Sequence, residues 1–333
     1  MKFKVVKVDN RYRDISIEKK VLSAVDADLL EYNLYDEDEI IKATEDADGI
    51  ISDLSPISEK VIRNLKKCKV ISKVGIGVDN INVKAASEKG IPVCNVPDYC
   101  VNEVADHTMA LILSSIRKIA CMNNLIKSGK WGIDYAKPIE PINEMVLGLV
   151  GFGSIARSVY LRAKAFDFDI ILFDPYINKD IANEYEIKLV DFDYLLKNSD
   201  VVSIHCLANS ETRHLFSSEQ FRMMKKSSYI VNTSRGMIID GEALYLALKE
   251  KIIAGAAVDV YEPEPINPDN PILKLDNFTI TSHYAFYSEK SIREVREKSA
   301  LNVAKVLTGQ EPINIVNIQL LKKGDLIWQD FQG

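Results

Sequence analysis

Arg235, Glu264 and His283 are three residues in the second half of the chain whose side chains together could hold a carboxylate and move a proton. A guanidinium presents a planar fork that matches a carboxylate. An imidazole with one ring nitrogen bonded to a carboxylate has a fixed tautomer and can exchange a proton near neutral pH. We therefore expect Arg235 to bind an anionic group, and Glu264 with His283 to form an acid/base pair.

A purely structural role is possible for several of the arginine and histidine side chains. Arg235 could be a surface arginine near a helix start, although the helix dipole disfavours a cation there. His107 lies within a helical pattern and His214 in a charged segment, so both are expected to be structural or exposed. His205 ends a predicted strand, where it could contact a cofactor or cap the strand.

A glycine-containing turn predicts a dinucleotide site. Gly151-Phe152-Gly153-Ser154-Ile155-Ala156 follows an apolar run at 146–150. Gly151 permits a tight turn, and Gly153 lets the backbone approach a pyrophosphate at the start of the next helix. Such glycines also serve ordinary turns, but here a helical pattern and a second apolar run, 170–173, follow at the spacing of a βαβ unit.

Asp174 ends this second run, 18 positions beyond Ala156. A carboxylate at that place can accept hydrogen bonds from a ribose 2′-hydroxyl and repel a 2′-phosphate. The expected cofactor is therefore NAD rather than NADP. Beside a nicotinamide, the residues described above suit oxidation of an alcohol, or reduction of a carbonyl, next to a carboxylate.

The elements that must position these residues alternate between strand and helix, which predicts an α/β fold. The predicted strands are 4–8, 49–52, 70–74, 92–96, 146–150, 170–173, 201–206, 229–232, 255–260 and 278–282. One long helix is expected over Val101 to Ala120, bridging two domains. In a doubly wound sheet, ligands bind outside the carboxyl ends of the strands. The residues at or just past such ends are Gly151, Asp174, His205, Arg235, Asp259 and His283. In the first domain, 75–77 follow a strand in the same way, and their amides could hold a small anion.

Composition narrows the class of protein. The 333 residues fit two domains, and a net charge of -6 argues against a nucleic-acid partner. The five cysteines are scattered without a CxxC pair, so we expect free thiols, a reducing compartment and no metal site. No apolar run reaches the roughly 18 residues of a membrane span. A cytoplasmic location without membrane association is expected.

Several motifs together resemble those of the D-isomer-specific 2-hydroxyacid dehydrogenases. They lie at 73–81, 151–156, 232–236, 259–265 and 281–285. The resemblance covers nearly the whole chain. Residues 93–100 and 283–288 look most like the branch that contains the C-terminal-binding proteins, which are transcriptional corepressors that keep dehydrogenase residues.

This resemblance implies roles for particular residues. Arg235 would bind the substrate carboxylate and polarise its carbonyl, His283 would be the general acid/base, and Glu264 would tune it. The amides of Gly75, Ile76 and Gly77 would hold the carboxylate. The expected NAD contacts are Gly151, Gly153, Ser154, Ile155, Asp174, His205, Thr233, Ser234 and Asp259.

The resemblance also implies an architecture. A Rossmann NAD-binding domain, residues 100–288, would be inserted into a flavodoxin-like substrate domain formed by residues 1–99 and 289–333, and the protein would form a homodimer through the NAD-binding domain. Two positions depart from the family pattern. Ser282 replaces a proline, and Phe286 stands where glycine or tryptophan is common, so its ring could narrow the substrate pocket or contact an apolar substrate tail.

The sequence therefore predicts an NAD-dependent enzyme that interconverts a D-2-hydroxy acid and its 2-keto acid, with His283 as acid/base. Two alternatives stay open. One is an NAD(H)-dependent binding module of the corepressor type, and the other is oxidation of another small anion such as phosphite. Glyoxylate, hydroxypyruvate, phosphohydroxypyruvate and longer apolar 2-keto acids are all possible substrates at this point.

Overall fold

A computed structural model describes residues 2–321. These residues form two compact units: the outer unit, residues 2–100 with 288–321, and the inserted unit, Val101–Tyr287. The sequence boundaries, 99/100 and 288/289, each differ from these by one residue. The assignment of the outer unit to the substrate stays a prediction.

Strands and helices alternate along most of the described chain. The strands are β1 (Phe3–Lys7), β2 (Ala27–Glu31), β3 (Gly49–Ser52), β4 (Val70–Lys73), β5 (Val93–Cys94), β6 (Val146–Val150), β7 (Asp169–Phe173), β8 (Lys188–Leu189), β9 (Val201–Ile204), β10 (Tyr229–Asn232), β11 (Gly255–Val258) and β12 (Phe278–Ile280). The helices are α1 (Ser16–Ser23), α2 (Glu37–Thr44), α3 (Glu59–Asn64), α4 (Val83–Glu88), α5 (Val101–Ile116), α6 (Ile119–Lys127), α7 (Ser154–Lys164), α8 (Lys179–Glu184), α9 (Phe192–Asn198), α10 (Ser218–Met223), α11 (Gly241–Lys249) and α12 (Glu289–Leu307).

The outer unit contains a parallel five-stranded sheet in the order β2-β1-β3-β4-β5. This is the strand order of flavodoxin-like doubly wound folds. Every residue of β3 and β4 is buried, because a parallel sheet is covered by helices on both faces. The α/β fold class predicted from the sequence is confirmed.

The inserted unit contains a parallel seven-stranded sheet in the order β12-β11-β10-β9-β6-β7-β8. The first strand of this sheet along the chain is β6. Strands β7 and β8 are added on one side of it, and β9 then pairs with β6 on the other side. This reversal produces the order of dinucleotide-binding Rossmann sheets, in which ligands bind at the carboxyl ends of the two strands beside the switch point. Here those strands are β6 and β9.

The prediction of a single long helix over Val101 to Ala120 is wrong. Helix α5 ends at Ile116, and α6 begins at Ile119 after a bend of 59°. Lys118 has a φ of 55°, which interrupts helical hydrogen bonding although the segment has neither glycine nor proline. No single described helix is long and apolar enough to cross a membrane, and only the bent pair α5–α6 taken together has the required length and composition.

Strand prediction is wrong at edges and ends. The sequence does not predict β2, since this strand lies at the edge of its sheet and only Ala27 is buried. In the inserted unit, three predicted strands extend two residues too far. Asn232, the last residue of β10, pairs with Ile204 of β9 and Val258 of β11, and Val258 pairs with Ile280 of β12, so all four strands end at the same level. The polar residues that follow leave the ladder and form loops.

Candidate active site

The turn between β6 and α7 requires its first glycine and leaves open space at its second. Gly151 has a φ of 92°, and a Cβ there would lie 2.8 Å from the backbone nitrogen of Cys206. A Cβ on Gly153 would meet no described atom within 4 Å. Ser154 and Ile155 form the start of α7, where no side chain caps the helix. The open space beside these amides fits a pyrophosphate, as the sequence predicted.

Asp174 follows β7 and is tied to this turn. Its Oδ2 accepts a hydrogen bond from the amide of Phe152 at 2.9 Å, and its Oδ1 accepts one from the amide of Tyr176 at 2.9 Å. Each carboxylate oxygen can accept a further bond. The side chain is only partly buried. The carboxylate of Asp174 can therefore accept a hydrogen bond from a ribose hydroxyl and still hold the glycine turn in place.

His205 follows β9 directly. Its amide donates to the carbonyl of Val150 at 2.8 Å, and its Nε2 lies 2.8 Å from the hydroxyl of Ser203. Burial lowers the pKa of His205 to about 4, so the ring is neutral at pH 7. The structure places it across the switch point from the glycine turn, where a neutral ring could line a cofactor site.

His283 and Glu264 are in direct contact, as the sequence led us to expect. Nδ1 of His283 lies 2.7 Å from Oε2 of Glu264, and each side chain is 40% exposed. Burial on its own would raise the pKa of Glu264, but the hydrogen bond and charge of His283 outweigh it, so that this pKa lies below its usual value. Glu264 is thus ionised at neutral pH, and Nε2 is the ring nitrogen of His283 that can face a substrate.

Arg235 lies close to this pair. Its guanidinium donates to the carbonyl of Ser234 at 2.7 Å, and its charge also helps to lower the pKa of Glu264. The space beside Gly236 is occupied by the backbone of Tyr261 and Glu262. A Cβ on Gly236 would lie 2.3 Å from the carbonyl carbon of Tyr261. The glycine therefore holds the loop that carries Glu264 against the end of β10.

The carboxylate of Asp259 is buried and is hydrogen-bonded to other residues of the inserted unit. Its side chain is 1% exposed. Oδ1 accepts hydrogen bonds from the hydroxyl of Thr281 at 2.5 Å and the amide of Tyr284 at 3.1 Å, and Oδ2 accepts one from the amide of Ala285 at 2.9 Å. This carboxylate thus anchors the turn that carries His283. Its contact with NAD stays a prediction.

The hydroxyls after β10 are also engaged within the inserted unit. Thr108 donates to the carbonyl of Val104, so the 2.8 Å contact between Thr233 and Thr108 has Thr233 as donor. The hydroxyl of Ser234 donates to the carbonyl of Ile204 at 2.9 Å. Both residues lie at the carboxyl edge of the sheet, and their contacts with NAD stay predictions.

The position of His107 is not predictable from the sequence. Its ring is 15% exposed, and Nε2 lies 3.0 Å from the hydroxyl of Thr281 on the turn before His283. These two residues are 174 positions apart, so local spacing contains no sign of the contact. The ring of Phe286 lies near that of His283, with 6.3 Å between the ring centroids.

In the outer unit, Gly75, Ile76 and Gly77 follow β4 as expected. Gly75 has a φ of 155°, and its carbonyl accepts a hydrogen bond from the amide of Val96 at 2.9 Å. The carbonyl of Ile76 accepts one from the side chain of Asn95 at 2.6 Å. Ile76 and Gly77 are partly exposed. Their role in holding a carboxylate stays a prediction.

Known proteins resemble this chain in sequence. Residues 109–285 match the model of the family described as D-isomer specific 2-hydroxyacid dehydrogenase, NAD binding domain. A glyoxylate reductase from Korarchaeum cryptofilum is 37% identical over 288 residues, covering 85% of this chain and 86% of that protein. A D-3-phosphoglycerate dehydrogenase from Methanocaldococcus jannaschii is 41% identical over 283 residues, covering 84% of this chain. The match covers 54% of that protein, so this chain spans about half its length.

A solved structure is similar over both units. The crystal structure of a D-lactate dehydrogenase from Aquifex aeolicus, complexed with NAD and lactic acid, aligns with a TM-score of 0.83 at 27% identity. The alignment covers 94% of this chain and 98% of that one.

Proposed function

The chain belongs to the D-isomer-specific 2-hydroxyacid dehydrogenase family, and on that premise we propose that it interconverts a D-2-hydroxy acid and its 2-keto acid. The inserted unit is an NAD-binding domain. The single observation that carries the proposal is the 2.7 Å contact of His283 with Glu264, close to Arg235, at the carboxyl edge of that domain's sheet.

Each of these residues has a distinct task in the proposed reaction. Arg235 binds the substrate carboxylate and polarises the neighbouring carbonyl. In the reductive direction, Nε2 of protonated His283 gives its proton to the carbonyl oxygen, which becomes the hydroxyl; in the oxidative direction Nε2 removes that proton. Glu264 bonds Nδ1, which orients the ring and stabilises the imidazolium. NAD, when bound, supplies the hydride chemistry at the substrate carbon.

The residues present fit this cofactor. The open space at Gly153 and the uncapped start of α7 would hold the pyrophosphate, and Asp174 would hold the ribose hydroxyls. The carboxylate of Asp174 would repel a 2′-phosphate, so we propose a preference for NAD over NADP.

The substrate is proposed as a small 2-keto or 2-hydroxy acid. The ring of Phe286, beside His283, favours a compact or apolar substituent on the reacting carbon, since it presents no hydrogen-bonding group.

The test is NADH oxidation at 340 nm against glyoxylate, hydroxypyruvate, phosphohydroxypyruvate, pyruvate and a branched 2-keto acid, with NADPH in parallel and phosphite plus NAD as a separate assay. We expect NADH turnover on at least one 2-keto acid. The variant Arg235→Ala should raise KM for that acid while NADH binding is retained. NADH binding without turnover on any keto acid would contradict the proposal and favour an NAD(H)-dependent binding module.

A further inference from the structure

The turn that carries His283 is held in an unfavourable backbone conformation. His283 has a φ of 52°, a left-handed value that residues with a Cβ adopt at a cost. Its amide donates to the backbone carbonyl of Asp259 at 2.7 Å. The residues on either side, Thr281 and Tyr284, bond the carboxylate of Asp259 as described above. The position of the imidazole therefore depends on how firmly this turn is held.

His107 contacts the same turn from α5. Its Nε2 lies 3.0 Å from the hydroxyl of Thr281 and 3.7 Å from Oδ1 of Asp259. Its ring also lies edge-on to that of Tyr284, with 5.0 Å between centroids and 72° between planes. One side chain thus touches Thr281, two positions before His283, and Tyr284, the position after it.

The direction of the hydrogen bonds follows from the hydroxyl. Thr281 has one hydroxyl proton, and it is donated to Asp259. The bond to His107 must therefore be accepted by Thr281, so Nε2 of His107 carries a proton. The result is a relay in which His107 donates to Thr281 and Thr281 donates to Asp259.

We propose that His107 is a positioning residue for the acid/base His283, acting through the relay to Thr281 and Asp259 and through its ring contact with Tyr284. This inference rests on the proposed function of His283. His107 does not touch the reacting atoms; it fixes the turn on which the reacting imidazole sits.

Two pairs of variants separate the relay from simple packing. His107→Phe keeps a ring against Tyr284 but removes the donor, and His107→Gln keeps a donor. Thr281→Val removes the hydroxyl, and Thr281→Ser keeps it. We expect His107→Phe and Thr281→Val each to lower kcat about tenfold with NADH affinity within about twofold of the parent, and the two conservative variants to keep at least about half of kcat.

The double variant tests whether the two residues act together. If they form one relay, His107→Phe with Thr281→Val should lose no more activity than the more impaired single variant. Losses that multiply, or an unchanged kcat in His107→Phe, would overturn the proposal. A primary isotope effect with deuterated NADH should rise in His107→Phe, because a misplaced imidazole slows the chemical step rather than product release.

A spectroscopic test does not depend on turnover. The chain has four histidines, so the imidazole signals can be assigned one by one in a ¹⁵N spectrum by single substitution. We expect a protonated Nε2 on His107, and a shift of the His283 ring signals in His107→Phe but not in His107→Gln. If the parent protein shows no turnover but these shifts are present, the proposed reaction is refuted and the positioning role of His107 is not. Unchanged His283 signals in His107→Phe would refute the positioning role.

Discussion

Individual side chains at strand ends can be identified from the sequence by type, but their partners cannot. The pairing of Glu264 with His283 is expected from chemistry and is present at 2.7 Å. The buried bonds of Asp259 are not expected, because one amide that it accepts from belongs to a turn 25 residues later. The contact of His107 with Thr281 cannot be predicted from the sequence for the same reason, because the two residues are 174 positions apart.

The low pKa of His205 has a consequence for stability. The unfolded chain binds a proton on this residue below pH 6.5, whereas the folded protein does so only near pH 4. Between these values the unfolded state binds more protons, so the free energy of unfolding decreases by about 1.4 kcal/mol for each unit that the pH is lowered. Urea unfolding of the parent and of His205→Asn, both without cofactor, should show the parent losing about 3 kcal/mol relative to the variant from pH 6.5 to 4.

His214→Asn is the control for this measurement, since His214 is 42% exposed and lies elsewhere in the unit. A constant difference in unfolding free energy between parent and His205→Asn across that pH range would show that the ring is not held neutral by burial.

Strands and helices are predictable where buried periodicity is strong and are missed where it is weak. All of β3, β4 and β9 is buried, and each is located by its apolar run. Edge strand β2 exposes most of its residues, so its pattern resembles a loop. The break between α5 and α6 depends on one left-handed lysine, which local propensity does not indicate.

The turn between β6 and α7 allows a matched pair of glycine variants. Gly151→Ala places a Cβ 2.8 Å from backbone at a φ of 92°, and we expect it to destabilise the cofactor-free protein by about 2 kcal/mol or more. Gly153→Ala meets no described atom within 4 Å, so the protein should keep its Tm, while affinity for NADH falls about tenfold or more because the Cβ occupies the pyrophosphate space.

Thermal unfolding and NADH fluorescence titration of both variants check this pair. Unchanged NADH affinity in Gly153→Ala would show that the space beside α7 does not hold the cofactor, and an unchanged Tm in Gly151→Ala would show that the turn tolerates a side chain.

The division into two units with parallel sheets can be predicted from the whole sequence, since each half repeats the strand and helix alternation. Composition does not indicate which part of the surface is apolar. None of the nine residues of α6 is buried, and Ile119 is 57% exposed. In the loop that follows, Trp131 is 86% and Ile133 is 73% exposed. We propose that this apolar surface, formed by α6 and residues 131–133, is covered by a second copy of the chain in a homodimer.

Light scattering after gel filtration tests the dimer. We expect a mass twice the chain's 37.5 kDa for the parent, and a shift toward the chain mass for Trp131→Ser combined with Ile133→Ser. Leu54→Ser, which changes an apolar residue 53% exposed in the outer unit, should leave the mass unchanged. A parent of single-chain mass would contradict the proposal.

The most direct test of the proposed reaction compares turnover and cofactor binding in His283→Ala. With the best 2-keto acid and saturating NADH, we expect kcat to fall about a hundredfold or more, because the proton donor is lost, while the Kd for NADH stays within about twofold of the parent. Turnover retained at the parent's rate would contradict the role of His283 and, with it, the acid/base pair on which the proposed function depends.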